Sequence, residues 1–223
     1  MKPETPIKPT LEKVGYPFKS KYHSMVVSIY QRSGDTETVN IYMKRKEPKS
    51  GVPKNVEHLC PKILEHQFTP EYDLKISPKC CDEMKKKPLH KWQKENKKPY
   101  SIIGIMRSEG GQRESAQCLR FKNDKFTAFQ PLAPITKEWE EWFIDTYNIE
   151  ISDIYKPPYN FERTGCKGCP FALHLQHELN TLEKFFPEER KQCEIIWKPV
   201  YDEYRRLNYR LKQNRQMTLD DYI

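Results

Sequence analysis

The sequence predicts an α/β chain: a partial sheet around one apolar strand, a four-cysteine metal subdomain and a helical C-terminus. Three observations carry this. Tyr100-Ser101-Ile102-Ile103-Gly104-Ile105-Met106 is the strongest strand signal in the chain, a short β-branched run of the kind that lies buried in a parallel sheet. Four of the seven cysteines fall in two places, the adjacent pair Cys80-Cys81 and the C-x-x-C of Cys166 and Cys169. After Cys169, leucines 173, 175, 179 and 182 recur at helical spacing.

Taken in order, residues 1–10 hold three prolines and read as an extended lead-in, with a helical turn from Thr10 to Val14. Met25, Val26, Ile29 and Tyr30 predict a helix over Ser24–Arg32, which Ser33-Gly34-Asp35-Thr36 breaks. Thr38–Met43 fits a strand or a helix equally well, and Lys44–Pro53 reads as a basic loop. A short helix over His58–His66 carries Cys60, a lone cysteine on an apolar face and so a core residue. Asp82–Lys87 begins a helix after the cysteine pair, and the polar stretch Lys91–Lys98 belongs on the surface. Leu119–Phe121 and Lys125–Gln130 form a hairpin around Asn123-Asp124. Thr136 caps a helix over Lys137–Tyr147, with Trp139, Trp142, Phe143 and Thr146 on one side. Tyr155–Phe161 is a proline-bearing aromatic loop. Pro187 suits the first turn of a last helix, followed by Glu188 and Glu189 at its positive end; the helix runs to Leu211 with a bend at Pro199. Three stretches result: an N-terminal segment 1–60, a cluster-bearing domain 61–212 and a tail 213–223.

Composition sets bounds. A chain of 223 residues has room for one good-sized domain or two small ones. Charged residues make up 31%, but aromatics at 12% argue against disorder because rings supply burial. Lysine and arginine exceed aspartate and glutamate by 39 to 31, a net +8. That balance suits anionic partners such as nucleotides, sulfate esters or nucleic acid; a solvated basic face accounts for it equally well. The N-terminus has no apolar leader and no run is long enough to cross a bilayer. A reducing cytoplasm is the expected compartment, where thiols bind metals instead of pairing.

The cysteines carry the chemistry. A glycine-bearing C-x-x-C turn, Gly165-Cys166-Lys167-Gly168-Cys169, aims two sulfurs at one point, and adjacent cysteines do not readily pair with each other. Cys80, Cys81, Cys166 and Cys169 are therefore read as one four-thiolate site, suited to a structural zinc or to an iron–sulfur cluster. Zinc sites usually draw two C-x(2–4)-C knuckles, so the adjacent pair favours [4Fe–4S], with zinc as the alternative. Arg107 and Arg113 flank the glycine-bearing loop after the strand, and their planar forks match sulfate and phosphate oxygens; Arg163 is a further candidate for an anion. His174 and His177 read as a helical surface pair, and Cys118 and Cys193 as structural.

The pattern C-C-x-x-x-K followed by C-x-x-C 85 positions after Cys81 resembles the phosphoadenosine phosphosulfate (PAPS) and adenylyl sulfate reductase family. Gly15-Tyr16-Pro17-Phe18-Lys19-Ser20-Lys21 is similar to its G-x-P-x-x-S-K segment. Gly104-Ile105-Met106-Arg107 with Arg113-Glu114-Ser115, and Pro131–Trp139, are similar to two further family stretches. The resemblance implies an adenine-nucleotide-hydrolase-like sheet, a [4Fe–4S] cluster on the four cysteines, and Lys85 beside the cluster and the substrate's sulfate. The family's pyrophosphate loop, of the type S-G-G-K-D-S, has no counterpart here; Ser33-Gly34-Asp35 lacks the second glycine and the lysine. The chain is thus expected to match the cluster-bearing C-terminal part of such an enzyme and to need a nucleotide-binding partner chain. No cysteine follows Cys193, which argues against ordinary sulfonucleotide reduction by this chain alone. The implied function is PAPS-reductase-like sulfonucleotide reduction or sulfur transfer on an anionic sulfonucleotide. The alternatives are a non-catalytic binding or regulatory module, or a nucleic-acid-associated sulfur-modification component. The tail Gln216-Met217-Thr218-Leu219-Asp220-Asp221-Tyr222 also resembles the Q-x-x-L-x-x-aromatic peptides that dock on sliding clamps.

Overall fold

The computed structural model describes residues 3–47, 59–110, 113–161 and 165–212. The chain forms two compact units: Pro88–Asn160, and a second that joins the flanking segments Lys2–Lys87 and Phe161–Ile223.

The second unit is helical. Helix α1 (Ile7–Val14) starts earlier than the expected lead-in allows. It ends at Gly15, whose φ of 102° and crowded surroundings exclude a side chain: an added Cβ would lie 2.9 Å from that of Ser77. Tyr16 then bridges to Ile76 in parallel. Helix α2 (Lys21–Ser33) is capped by the Ser20 hydroxyl, which accepts from the His23 amide. The ambiguous 38–43 stretch is a helix, α3 (Glu37–Tyr42), because Thr36 caps it through the Val39 amide. A 3-10 helix over Lys62–Phe68 follows. Helices α6 (Leu175–Phe185) and α7 (Pro187–Arg206) close the unit. Pro187 stands in the first turn of α7 as expected, while the helix continues through Pro199 and stops at Arg206, short of Leu211.

This unit holds the core. Leu11, Phe18, Val26, Val27, Val39, Tyr42, Leu64 and Ile76 pack with Leu175, Leu179, Trp197, Val200, Tyr201 and Tyr204. Cys60 is 5% exposed, a core residue. At the centre, fully buried His23 lies 2.8 Å from the Tyr42 hydroxyl through Nδ1 and 2.7 Å from Gln67 Oε1 through Nε2. Burial, partly offset by the Gln67 hydrogen bond and reinforced by Lys19, Arg210 and His66, lowers its pKa to about 4. The imidazole is neutral, with Nε2–H donating to Gln67 and Nδ1 accepting from Tyr42.

The Pro88–Asn160 unit carries the sheet. Helix α4 (Lys87–Glu95) leads in, followed by β1 (Ser101–Ile102), β2 (Leu119–Lys122) and β3 (Lys125–Phe129) in the order β1-β3-β2. Strands β2 and β3 form the expected hairpin; Asn123 and Asp124 at φ of 50° and 58° make the turn whose twist suits two-residue hairpins. Strand β1 pairs in parallel with β3, Ser101 opposite Ala128 and Ile102 opposite Phe129. The parallel direction fits the sequence reading, but the burial does not. Strand β1 is two residues long at the sheet edge, and Ile102 is 79% exposed, in line with Phe129 and Leu119, themselves exposed. Thr136 caps α5 (Lys137–Thr146) through the Trp139 amide. Its stripe of Trp139, Trp142 and Phe143 is exposed, the Trp139 and Phe143 rings stacked at 5.2 Å. Among the described residues, only Met106, Ala128, Gln130 and Ala133 are buried in this unit. No helix among the described residues is long and apolar enough to cross a membrane.

Candidate metal centre

The four predicted cysteines all belong to the helical unit. Cys80 and Cys81 occupy the opening turn of a helix, where backbone N–H groups and the helix dipole favour a thiolate. The Ser77 hydroxyl accepts from the Lys79 amide just ahead of them. The next residues, Asp82–Lys86, make a π-helical turn before α4 begins, a feature that often accompanies functional sites. Lys85 stands on that turn, four residues after Cys81.

The C-x-x-C turn is built by α7. The Trp197 indole N–H donates to the Lys167 carbonyl at 3.0 Å, the Tyr201 hydroxyl to that of Gly168, and the Tyr204 hydroxyl to that of Pro170 at 2.9 Å. Arg210 donates to the Pro170 carbonyl as well, at 2.7 Å. Tyr204 also accepts from the Lys19 amide at 2.7 Å, tying the Gly15–Lys21 segment to the same place. Residues 193, 197, 201 and 204 follow helical spacing, so one stripe of α7 faces the turn, and its last three members hold the carbonyls of Lys167, Gly168 and Pro170. Gly168, at φ 59°, lies flat against this stripe: an added Cβ would stand 2.5 Å from the Tyr201 hydroxyl and 2.8 Å from Cys193 Sγ.

The thiols sense one another. Cys80 donates a hydrogen bond to Cys81, which raises its own pKa; burial and the nearby Cys81, Cys169 and Cys166 raise it further. The same bond lowers Cys81 to about 6 against the opposing effect of burial, with Lys21 and Lys85 helping and Asp82 opposing. Burial pushes Cys169 up to about 12; the Phe171 N–H bond and Lys85 pull down, while Cys166 and Cys81 push up. Cys80, through its hydrogen bond to Cys81 and its burial, and Cys169, through burial, thus resist ionisation, and a positively charged group among the thiols would offset that cost. All seven cysteines are free thiols. Among the described residues, no three His, Cys, Asp or Glu side chains close around a single point tightly enough to hold one metal ion. The donor chemistry, four thiols, suits a tetrahedral zinc and a multi-iron cluster alike.

The remaining predicted residues divide. Lys85 acts on both Cys81 and Cys169. Arg107 and Arg113 belong to the Pro88–Asn160 unit and are engaged by their own loop: Arg107 Nε donates to the Ala116 carbonyl at 2.7 Å, and Arg113 pairs with Glu109. Arg163 and the tail 213–223 lie outside the described residues. The sequence reading missed Lys21, the second cation acting on Cys81; its signal was the last position of the G-x-P-x-x-S-K segment. It also missed the aromatic stripe of α7, which appeared only as a helical period.

A family model described as phosphoadenosine phosphosulfate reductase domain matches residues 17–172, more than half of the chain. No curated protein and no solved structure matches the chain.

Proposed function

Because the chain belongs to the phosphoadenosine phosphosulfate reductase domain family, we propose that it is an iron–sulfur protein of sulfonucleotide reduction or sulfur transfer, working with a second, nucleotide-binding chain in a reducing compartment. The observation that carries this reading is the mutual influence of Cys80, Cys81, Cys166 and Cys169, with Lys85 and Lys21 acting on Cys81. Cys80, Cys81, Cys166 and Cys169 would hold a [4Fe–4S] cluster, which supplies a redox-active group whose potential responds to nearby cations. Lys85 and Lys21 hold positive charge beside the thiolates and attract the sulfate end of an anionic substrate. The α7 stripe keeps the C-x-x-C turn in one conformation. The partner chain is supported by the sheet: β1 leaves a parallel edge open, and Ile102, Phe129 and Leu119 form an uncovered apolar row. Parallel sheets are normally covered on both faces.

The test is anaerobic purification of the full chain. It should absorb broadly in the visible range and carry about four irons per chain, and Cys166→Ser should lose the iron and much of the stability, since ligation and folding are linked. Sulfonucleotide should stay unreduced until a nucleotide-binding chain is added. One equivalent of zinc without iron would sink the cluster while keeping the four-thiolate site.

A further inference from the structure

A groove of about 760 Å³ opens on the helical unit between the end of α1, the outer face of α2 and the segment 69–79. Its volume is that of a small-molecule site. Four cations line it, Lys13, Arg32, Lys75 and Lys79, against one carboxylate, Asp73. Elsewhere on this protein, Lys46, Lys86, Lys87, Lys198 and Arg206 each meet an acidic partner. In the groove, the Lys13 and Lys79 ammonium groups and the terminal nitrogens of Arg32 have no hydrogen-bond or ion-pair partner in the described chain. Lys75 donates one N–H to the Lys13 carbonyl at 2.5 Å, which holds it at the rim with two donors left; Arg32 is steadied by its Nε bond to the Ser28 carbonyl at 3.0 Å.

The walls are fixed as well as charged. Gln31 donates to the Leu74 carbonyl at 2.8 Å and accepts from the Ile76 amide at 3.1 Å, stitching α2 to the opposite wall. The Tyr16–Ile76 bridge holds the other side. Four like charges held around one concavity repel one another, and a bound polyanion relieves that repulsion while replacing water on each head group. We propose that this groove, whose wall ends at Lys79 just before Cys80, binds a small ligand bearing two or three phosphate groups. Its size, that of a small-molecule site, favours a compact polyanion over a nucleic-acid strand, which needs an extended track for its backbone.

The probe is inorganic tripolyphosphate, titrated calorimetrically into the full chain at low salt, with a ten-nucleotide single strand as the comparison. Tripolyphosphate should bind, weaken with salt, and lose about tenfold in affinity in each of Arg32→Ala and Lys13→Ala. Lys191→Ala, whose lysine pairs with Glu188 outside the groove, should bind as the parent does. Both groove residues are on the surface, so unchanged circular dichroism would show that the variants fold. No heat of binding at millimolar tripolyphosphate would overturn the proposal, as would binding that ignores both substitutions. An oligonucleotide that binds more tightly than tripolyphosphate and fails on the same variants would overturn it in favour of a nucleic-acid track.

Discussion

Individual side chains are tuned here by burial more than by ion pairs, and His23 is the clearest case. Its folded pKa near 4 lies below the ordinary 6.5, so the unfolded chain binds a proton that the folded chain refuses. The stability contributed by keeping it neutral is complete above pH 6.5 and is lost as pH falls from there towards 4. Two and a half pKa units correspond to about 3 kcal/mol. Unfolding free energy measured against pH should therefore drop by about that amount across this window. His23→Gln, which keeps a neutral polar group, should flatten that part of the curve while lowering the plateau; an unchanged slope would show that other groups set it.

At the scale of elements, the C-x-x-C turn and α7 behave as one object. Gly168→Ala puts a methyl group into the Tyr201 hydroxyl and Cys193 at a left-handed φ, and should cost about 2–4 kcal/mol. Gly34→Ala also demands a positive φ, 66°, here with ψ of −146° and nothing within 4 Å of the new atom, so its cost of about 1–3 kcal/mol is backbone strain alone. A larger loss in Gly168→Ala points to the contact with α7, and equal losses would mean that the stripe does not press on the turn. Local elements of this kind were largely legible beforehand. Thr136, the Asn123-Asp124 turn and Pro187 each announce themselves within four residues, because caps, turns and first-turn prolines are short-range chemistry. The cysteine set and Lys85 come from their motif and stand as a proposal for the cluster test. The exposure of Ile102 and the grip of Trp197, Tyr201 and Tyr204 on carbonyls 30 or more residues away were not. Both depend on which segments meet, and apolar periodicity names a face without naming what covers it. Lys21 escaped notice for the same reason: a lysine opening a helix looks solvated until Cys81 is brought to it.

For the molecule as a whole, the two units are unequal. The helical unit buries Trp197, Tyr201, Tyr204, Phe18 and their neighbours, whereas Pro88–Asn160 buries four residues among those described. Opening free energy follows buried apolar contact. Amide hydrogen exchange in β2 and β3 should therefore run at least about tenfold faster than in α2 and α7, a gap of about 1.4 kcal/mol. Equal protection in both units would show that the sheet draws stability from something other than its own core. Addition of a partner that covers the Ile102–Phe129–Leu119 row should slow exchange in β1 and β3 first.

The helical unit is assembled from both sides of Pro88–Asn160, and this fixes an order of events during synthesis. Phe18 waits for Tyr204, and Cys80 and Cys81 wait for Cys166 and Cys169. At translation speeds of about 5–20 residues per second, the first cysteines are made on the order of ten seconds before the helix that completes their surroundings. During that interval the nascent chain displays its future core and a reactive thiol pair to the cell. Chaperones therefore meet this protein first as an unfinished chain, and the surroundings of Cys80 and Cys81 are complete only once α7 has been made.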